Sequence, residues 1–144
     1  MKPSRIKELL GPLLDSKWPI FLWGPPGVGK SSVVHQVVES RGWKLMDVRA
    51  SLLDPTDLRG IPYVENGQAN WAPPSFLPSD HNSEGVLFFD ELNAAPPLVQ
   101  ASLYQLTLDR RIGEYILPKG WRIMAAGNRS EDRSVVFRMP NAQI

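Results

Sequence analysis

Residues Gly24-Pro25-Pro26-Gly27-Val28-Gly29-Lys30-Ser31 carry the spacing G-x-x-x-x-G-K-[ST]. This spacing suits a loop that wraps a phosphate with its backbone N–H groups turned inward. Glycine permits the required dihedrals and lets the backbone come close to the anion. Pro25 and Pro26 narrow the unfolded ensemble and stiffen the loop. A helix starting near Lys30 would add the positive end of its dipole. Lys30 would reach the β- and γ-phosphates, and Ser31 would offer its hydroxyl to Mg²⁺. Ser32, next along the helix, completes the expected binding set Gly24–Ser32. A plain Gly/Pro turn is the blander account. The apolar strand before the loop and the amphipathic helix after it argue against that.

Two further places carry chemistry. Val86-Leu87-Phe88-Phe89 is an apolar run that ends in Asp90-Glu91. Carboxylates at the C-terminal end of a buried strand lie on the ligand edge of a parallel sheet. Strand alternation predicts that the two side chains diverge. Asp90 would then hold the metal through water, and Glu91 would polarise a nucleophilic water. Asn128 closes Arg122-Ile123-Met124-Ala125-Ala126-Gly127. Its amide could hydrogen-bond both the attacking water and the γ-phosphate. Alone, each place would pass for a polar strand-end turn. Together they predict ATP and Mg²⁺ as cofactors, with Lys30, Glu91 and Asn128 catalytic and Ser31 and Asp90 on the metal.

These residues need elements to hold them. Pro19–Trp23 reads as a buried strand and Lys30–Ser40 as a helix with Val33, Val34, Val37 and Val38 on one face. Trp43–Val48, Val86–Glu91 and Trp121–Ala126 read as further strands. Pro97–Asp109 reads as a helix with Leu98, Ala101, Leu103, Leu106 and Leu108 mostly inward. Residues 3–15 carry a helical pattern through Ile6, Leu9, Leu10, Leu13 and Leu14, interrupted at Gly11-Pro12. Ser51–Leu58 suits a short helix or loop, and Ile112–Leu117 an extended piece. Between Gly60 and Pro78 the prolines forbid a long helix. Asn66-Gly67 there predicts a β-hairpin. Ser130–Ile144 reads as polar and irregular. Apolar strands alternating with helices give an α/β fold, a parallel sheet covered on both faces.

Composition removes several classes. The chain has 144 residues, enough for one compact domain. There is no cysteine, so disulfide, zinc–thiolate and cysteine-nucleophile chemistry is excluded. The net charge of +1 gives no strong case for nucleic acid or anionic membrane. No apolar run approaches a membrane span, and the start lacks a signal-peptide core, so a cytoplasmic chain is the default. His35 and His81 lack acids at ligand spacing and read as structural. Asp57-Leu58-Arg59-Gly60 has the D-x-x-G form, but no guanine-reading tetrapeptide accompanies it. Pro and Gly, 14 and 11 in number, gather largely in the phosphate loop, the hairpin region and around the second long helix.

In their order along the chain, GPPGVGKS, VLFFDE and MAAGNR resemble Walker A, Walker B and sensor 1 of an AAA+ ATPase. Leu53–Pro62 and Glu91–Gln100 are similar to segments of the MoxR-like, dynein-related branch. The resemblance covers about residues 18–140. It implies a three-layer P-loop NTPase core with sheet order 5-1-4-3-2, a hexameric ring, and a protein substrate or von Willebrand A-domain partner to be remodelled or activated. The hairpin at 60–78 would be the helix-2 insert, where Tyr63 or Trp71 would touch a partner or, more simply, pack the hairpin on the body. Residues 1–144 would form one partial core. The family continues past sensor 1 into an arginine-finger helix, a fifth strand beside the phosphate-loop strand, and a lid. The expectation is therefore a core truncated before the last strand and lid, with an open sheet edge. Arg129, Arg133 and Arg138 would act across an interface or form a solvated face. Two rivals to partner remodelling stand beside it. One is a nucleotide-dependent assembly module without useful hydrolysis. The other is a DNA-replication helper such as a helicase loader, which the near-neutral charge disfavours.

Overall fold

The computed structural model describes residues 10, 12, 14, 15, 18–24, 30–54, 57, 58, 60–128 and 135–138, with the side chains of Gly24, Ile61, Asn128 and 135–138 left undescribed. The phosphate-loop residues Pro25, Pro26, Gly27, Val28 and Gly29, the cations Arg129 and Arg133, and most of the expected first helix lie outside the described residues.

The main sheet contains β1 (Ile20–Gly24), β2 (Lys44–Arg49), β5 (Gly85–Asp90), β8 (Trp121–Asn128) and β9 (Val135–Arg138). Their order is β2-β5-β8-β1-β9. The first four strands run parallel; β5, between β2 and β8, is the near-continuous apolar run that burial on both faces calls for, while β2 at the edge is charged at both ends and partly exposed. One face packs on α1 (Lys30–Ser40), whose Val33, Val34, Val37 and Val38 are all buried. Leu10 and Leu14, two positions of the expected first helix, are buried in the same cluster. The other face packs on α2 (Pro97–Asp109).

Alternation along each strand sorts residues between the faces. Val86 and Phe88 meet the α1 side, and Leu87 and Phe89 the α2 side. On α2 the inward residues are Val99, Leu103, Leu106 and Thr107. This corrects the expected face: Leu98 is 69% exposed and Ala101 is exposed. A spacing of four then three from Val99 follows the helical turn, whereas Leu98 falls one residue off that stripe.

The hairpin expected from Asn66-Gly67 is present. Strands β3 (Ile61–Glu65) and β4 (Gln68–Ala72) pair with Glu65 opposite Gln68. Both turn residues take positive φ, 53° at Asn66 and 77° at Gly67. Gly60 is required where the hairpin closes, because a Cβ there would lie 1.9 Å from the Ala72 carbonyl oxygen. The extended piece expected at Ile112–Leu117 is a second, tighter hairpin, β6 (Arg111–Ile112) and β7 (Tyr115–Ile116). Its turn uses Gly113 at φ 57°, and α2 ends just before it with Arg110 in the left-handed region.

The far edge differs from expectation. The parallel fifth strand is not found among the described residues. Its place beside β1 is taken by β9, running antiparallel with Ile20 opposite Arg138 and Trp23 opposite Val135. The expected open edge is therefore paired along β1, and the irregular reading of 130–144 fails at 135–138. Val135-Val136-Phe137 is a β-branched and aromatic run, and the free N–H and C=O groups of β1 are a template for it.

Candidate functional site

Of the expected site residues, the described ones, Lys30, Ser31, Ser32, Asp90, Glu91 and the backbones of Gly24 and Asn128, lie at the C-terminal ends of the parallel strands. Register puts Gly24 beside Asn128 and Arg49 beside Asp90. Asn128 is the last residue of β8; its backbone lies where the sequence put it. Close approach is enforced one residue earlier. A Cβ on Gly127 would lie 2.5 Å from the Trp23 ring and 3.0 Å from the Asn93 amide oxygen. Trp23 is itself stacked on Phe21 of the same strand at 4.7 Å, which holds the ring against Gly127 of β8.

Lys30 opens α1 and is only 8% exposed. Burial pulls its ammonium below the usual lysine range, and the Asp90 carboxylate opposes that shift. Ser31 and Ser32 follow in the same first turn. Asp90 ends β5 and is half-buried. Burial is the main cause that lifts its carboxyl above the usual range. The Glu91 N–H, donating to Asp90 Oδ1 at 2.8 Å, pulls the other way. Asp47 and Glu91 add like-charge repulsion, and Lys30 partly offsets it.

Glu91 does diverge from Asp90, but not by strand alternation. The strand ends at Asp90, and Glu91 sits at φ 57°, ψ 38°, in the left-handed region. A non-glycine residue there is uncommon and costs of order 1 kcal/mol. The following one-turn 3-10 helix, Leu92–Ala94, redirects the chain from that point. The Glu91 side chain turns toward β2. Ser51 Oγ donates to its Oε2 at 2.6 Å, and Arg49 Nε lies 3.8 Å from its Oε1.

Three participants were not visible in the sequence: Arg49, Ser51 and Asp47. All come from β2 or the turn after it: Ser51 is 40 residues from Glu91 in the chain, Arg49 slightly farther, and Asp47 is 16 from Ser31. A usable signal existed at Asp47, an acid interrupting the apolar Leu45-Met46 and Val48 in the middle of the strand. Asp47 Oδ2 lies 2.7 Å from His35 Nε2 and 3.5 Å from Ser31 Oγ. His35 thus has an acid partner in space that its sequence neighbours did not offer. No group of three or more His, Asp or Glu residues suited to a metal occurs among the described residues.

Elsewhere, Asp57 accepts the Asp54 N–H at 2.7 Å, a turn-closing role for the D-x-x-G acid. Tyr63 and Trp71 are 44% and 42% exposed. Trp71 joins Leu58, Ile112 and Tyr115 around a cleft of about 320 Å³ between the two hairpins, with His81 on its wall. Packing on the body therefore accounts for only part of that tryptophan. Among the described residues no helix is long and apolar enough to cross a membrane.

Comparison with known proteins fits this arrangement. The family model "AAA domain (dynein-related subfamily)" matches residues 19–141. Protein MoxR of Methylorubrum extorquens is 30% identical over 96% of this chain and 41% of its own length. The Holliday junction branch migration complex subunit RuvB of Chlorobium luteolum is 33% identical over 65% of this chain and 23% of its own. The chain thus spans less than half the length of these relatives. A crystal structure of a presumptive ATPase from Cytophaga hutchinsonii superposes with TM-score 0.57 at 22% identity, covering 97% of this chain and 42% of that one. NtrX of Brucella abortus in complex with ATP gives TM-score 0.53 at 17% identity over 87% of this chain and 29% of its own. These last two likenesses concern the fold. With the family model spanning nearly the whole sheet and this chain aligned to MoxR over almost all of its length, the chain belongs to the AAA+ ATPases, in their dynein-related, MoxR-like branch.

Proposed function

We propose that the chain is the nucleotide-binding core of an AAA+ machine that binds ATP with Mg²⁺ and hydrolyses it to remodel or activate a partner protein. The observation that carries this is the meeting of two places at one end of the parallel sheet: Lys30 and Ser31 in the first turn of α1, and Asp90 and Glu91 where β5 ends. Gly24–Ser32 would bind the phosphates, with Lys30 on the outer ones. The donor set fits a hard cation: a hydroxyl from Ser31, a carboxylate from Asp90, and like-charge crowding at Asp90 that a divalent ion relieves. When bound, Mg²⁺ neutralises charge developing on the phosphates. Glu91 would accept a proton from the attacking water, and Asn128 would orient that water.

A six-membered ring, in keeping with the family, would bring neighbouring subunits to the site. Its partner would be a protein, for which a von Willebrand A-type domain is the leading candidate. The half-exposed Tyr63 and Trp71 of the insert are suited to touch it. A cytoplasmic location fits the same reading. Net charge near zero argues against nucleic acid as the direct partner, in contrast to the branch-migration role named for the relative RuvB.

One observation favours a second reading, nucleotide-dependent assembly without useful turnover. The Glu91 carboxylate is engaged by Ser51 and Arg49 on the β2 side. Nucleotide titration and phosphate release separate the two. ATP binding in Mg²⁺ is expected for the wild type and lost in Lys30→Ala. Phosphate release above that of Glu91→Ala supports hydrolysis; equal release leaves the assembly reading. Unchanged binding in Lys30→Ala would overturn the phosphate-loop assignment.

A further inference from the structure

Asp47 is the one carboxylate at the site that the proposed chemistry leaves without work. Strand alternation places it with Leu45, which packs on the α1 cluster, while Met46 and Val48 pack on the α2 cluster. Asp90 shares that same face, by alternation with Val86 and Phe88. Asp47 therefore lies between α1 and the strand end that carries Asp90, two residues deeper along the sheet, opposite Phe88. Ser31 and His35, four residues apart, stand one above the other on α1. Both reach the same Asp47 oxygen, at 3.5 and 2.7 Å.

A hydroxyl that gives a lone pair to a cation must turn its hydrogen elsewhere, toward an acceptor. Asp47 Oδ2 is such an acceptor. Asp90 is less suited, because one of its oxygens is already engaged by the Glu91 N–H. We propose that Asp47 is a positioning residue for the Mg²⁺ site: its carboxylate accepts the Ser31 hydroxyl and so turns the Ser31 oxygen toward the cation, while His35 holds the carboxylate in place. This rests on the reading of residues 24–31 as a phosphate loop. Partners that orient a metal ligand in this way typically matter by about 10- to 100-fold in metal affinity.

The rival is a staple joining α1 to β2, which would shift stability and leave metal dependence alone. ADP affinity measured across a Mg²⁺ titration, and again in EDTA, separates them. In Asp47→Ala the Mg²⁺ concentration for half-maximal enhancement of ADP binding is expected to rise about tenfold, with affinity in EDTA unchanged. Asp47→Ala/Ser31→Ala is expected to be no worse than Ser31→Ala, because both changes remove one device. His35→Gln, which leaves Asp47 in place, carries the same test with a smaller shift, about threefold, should Asp47→Ala not fold. An equal loss with and without Mg²⁺, no shift in either, or additive effects in the double variant would overturn the proposal. Wild-type ADP binding indifferent to Lys30→Ala would remove the phosphate-loop reading first, and this inference with it.

Discussion

The two ends of the parallel sheet solve opposite electrostatic problems. At the N-terminal ends, opposite charges meet and cations lie on an aromatic ring. The Arg122 guanidinium sits 3.9 Å over Trp43 and donates to the carbonyls of Leu14 and Gly120. Arg41 lies 5.1 Å over the same ring and pairs with Asp15 at 2.6 Å, while Trp43 Nε1 donates to Glu84. At the C-terminal ends, Asp47 and Glu91 crowd Asp90, which faces one buried lysine, and Glu91 holds a left-handed backbone. The first end is matched for stability. The second concentrates like charge and backbone cost where anionic phosphate and a cation would be handled, the usual cost of a working site.

Substitutions at each end should therefore read out in different currencies. The largest effect is expected from Glu91→Gln. Phosphate release should fall about 10²- to 10⁴-fold with nucleotide affinity kept, since only the proton acceptor changes. A fall in affinity of similar size would place Glu91 in binding rather than turnover. Next comes Arg122→Ala at the opposite end. Losing a desolvated cation–π contact and the guanidinium's hydrogen bonds to the Leu14 and Gly120 carbonyls should cost about 2–3 kcal/mol in urea unfolding, with nucleotide affinity of the folded protein unchanged. Gly127→Ala is expected to cost about 1–3 kcal/mol by overpacking against Trp23, and it alone should lower both stability and nucleotide affinity. If stability drops while affinity holds, β8 does not transmit its position to the site. The smallest effect is expected from Asp15→Asn. Its Arg41 hydrogen bond holds the Asp15 carboxyl below the usual range. The stability it contributes is thus present above the unfolded carboxylate range and lost as pH falls through the folded value. Melting of wild type and Asp15→Asn should differ slightly at pH 7 and converge near pH 2.

What the sequence made legible was contiguous. The valine stripe of α1 and the Asn66-Gly67 turn each state their place within a dozen residues, as do the strand that stops at Asp90 and the helix that opens at Lys30. What it hid was brought together from afar or depended on backbone handedness. Nothing in the letters Asp-Glu says that the strand stops between them, and alternation gave the right divergence for the wrong reason. Arg49, Ser51 and Asp47 matter only because β2 lies beside β5, a pairing across some forty residues. The face of α2 was misjudged because leucines outnumber the single valine that sets the stripe. Strand β9 was hidden by its polar surroundings, although its own three residues favour extended structure.

That strand has a consequence for how the chain is routed. Val135 lies beside Trp23, at the phosphate-loop end, and Arg138 beside Ile20, at the other. A parallel strand in this position would deliver whatever follows it to the nucleotide. This antiparallel one delivers it to the opposite pole, about a sheet's depth away. A capping segment following Arg138 would have to travel back across the molecule, or be lent by a neighbouring subunit, before it could close over a bound phosphate.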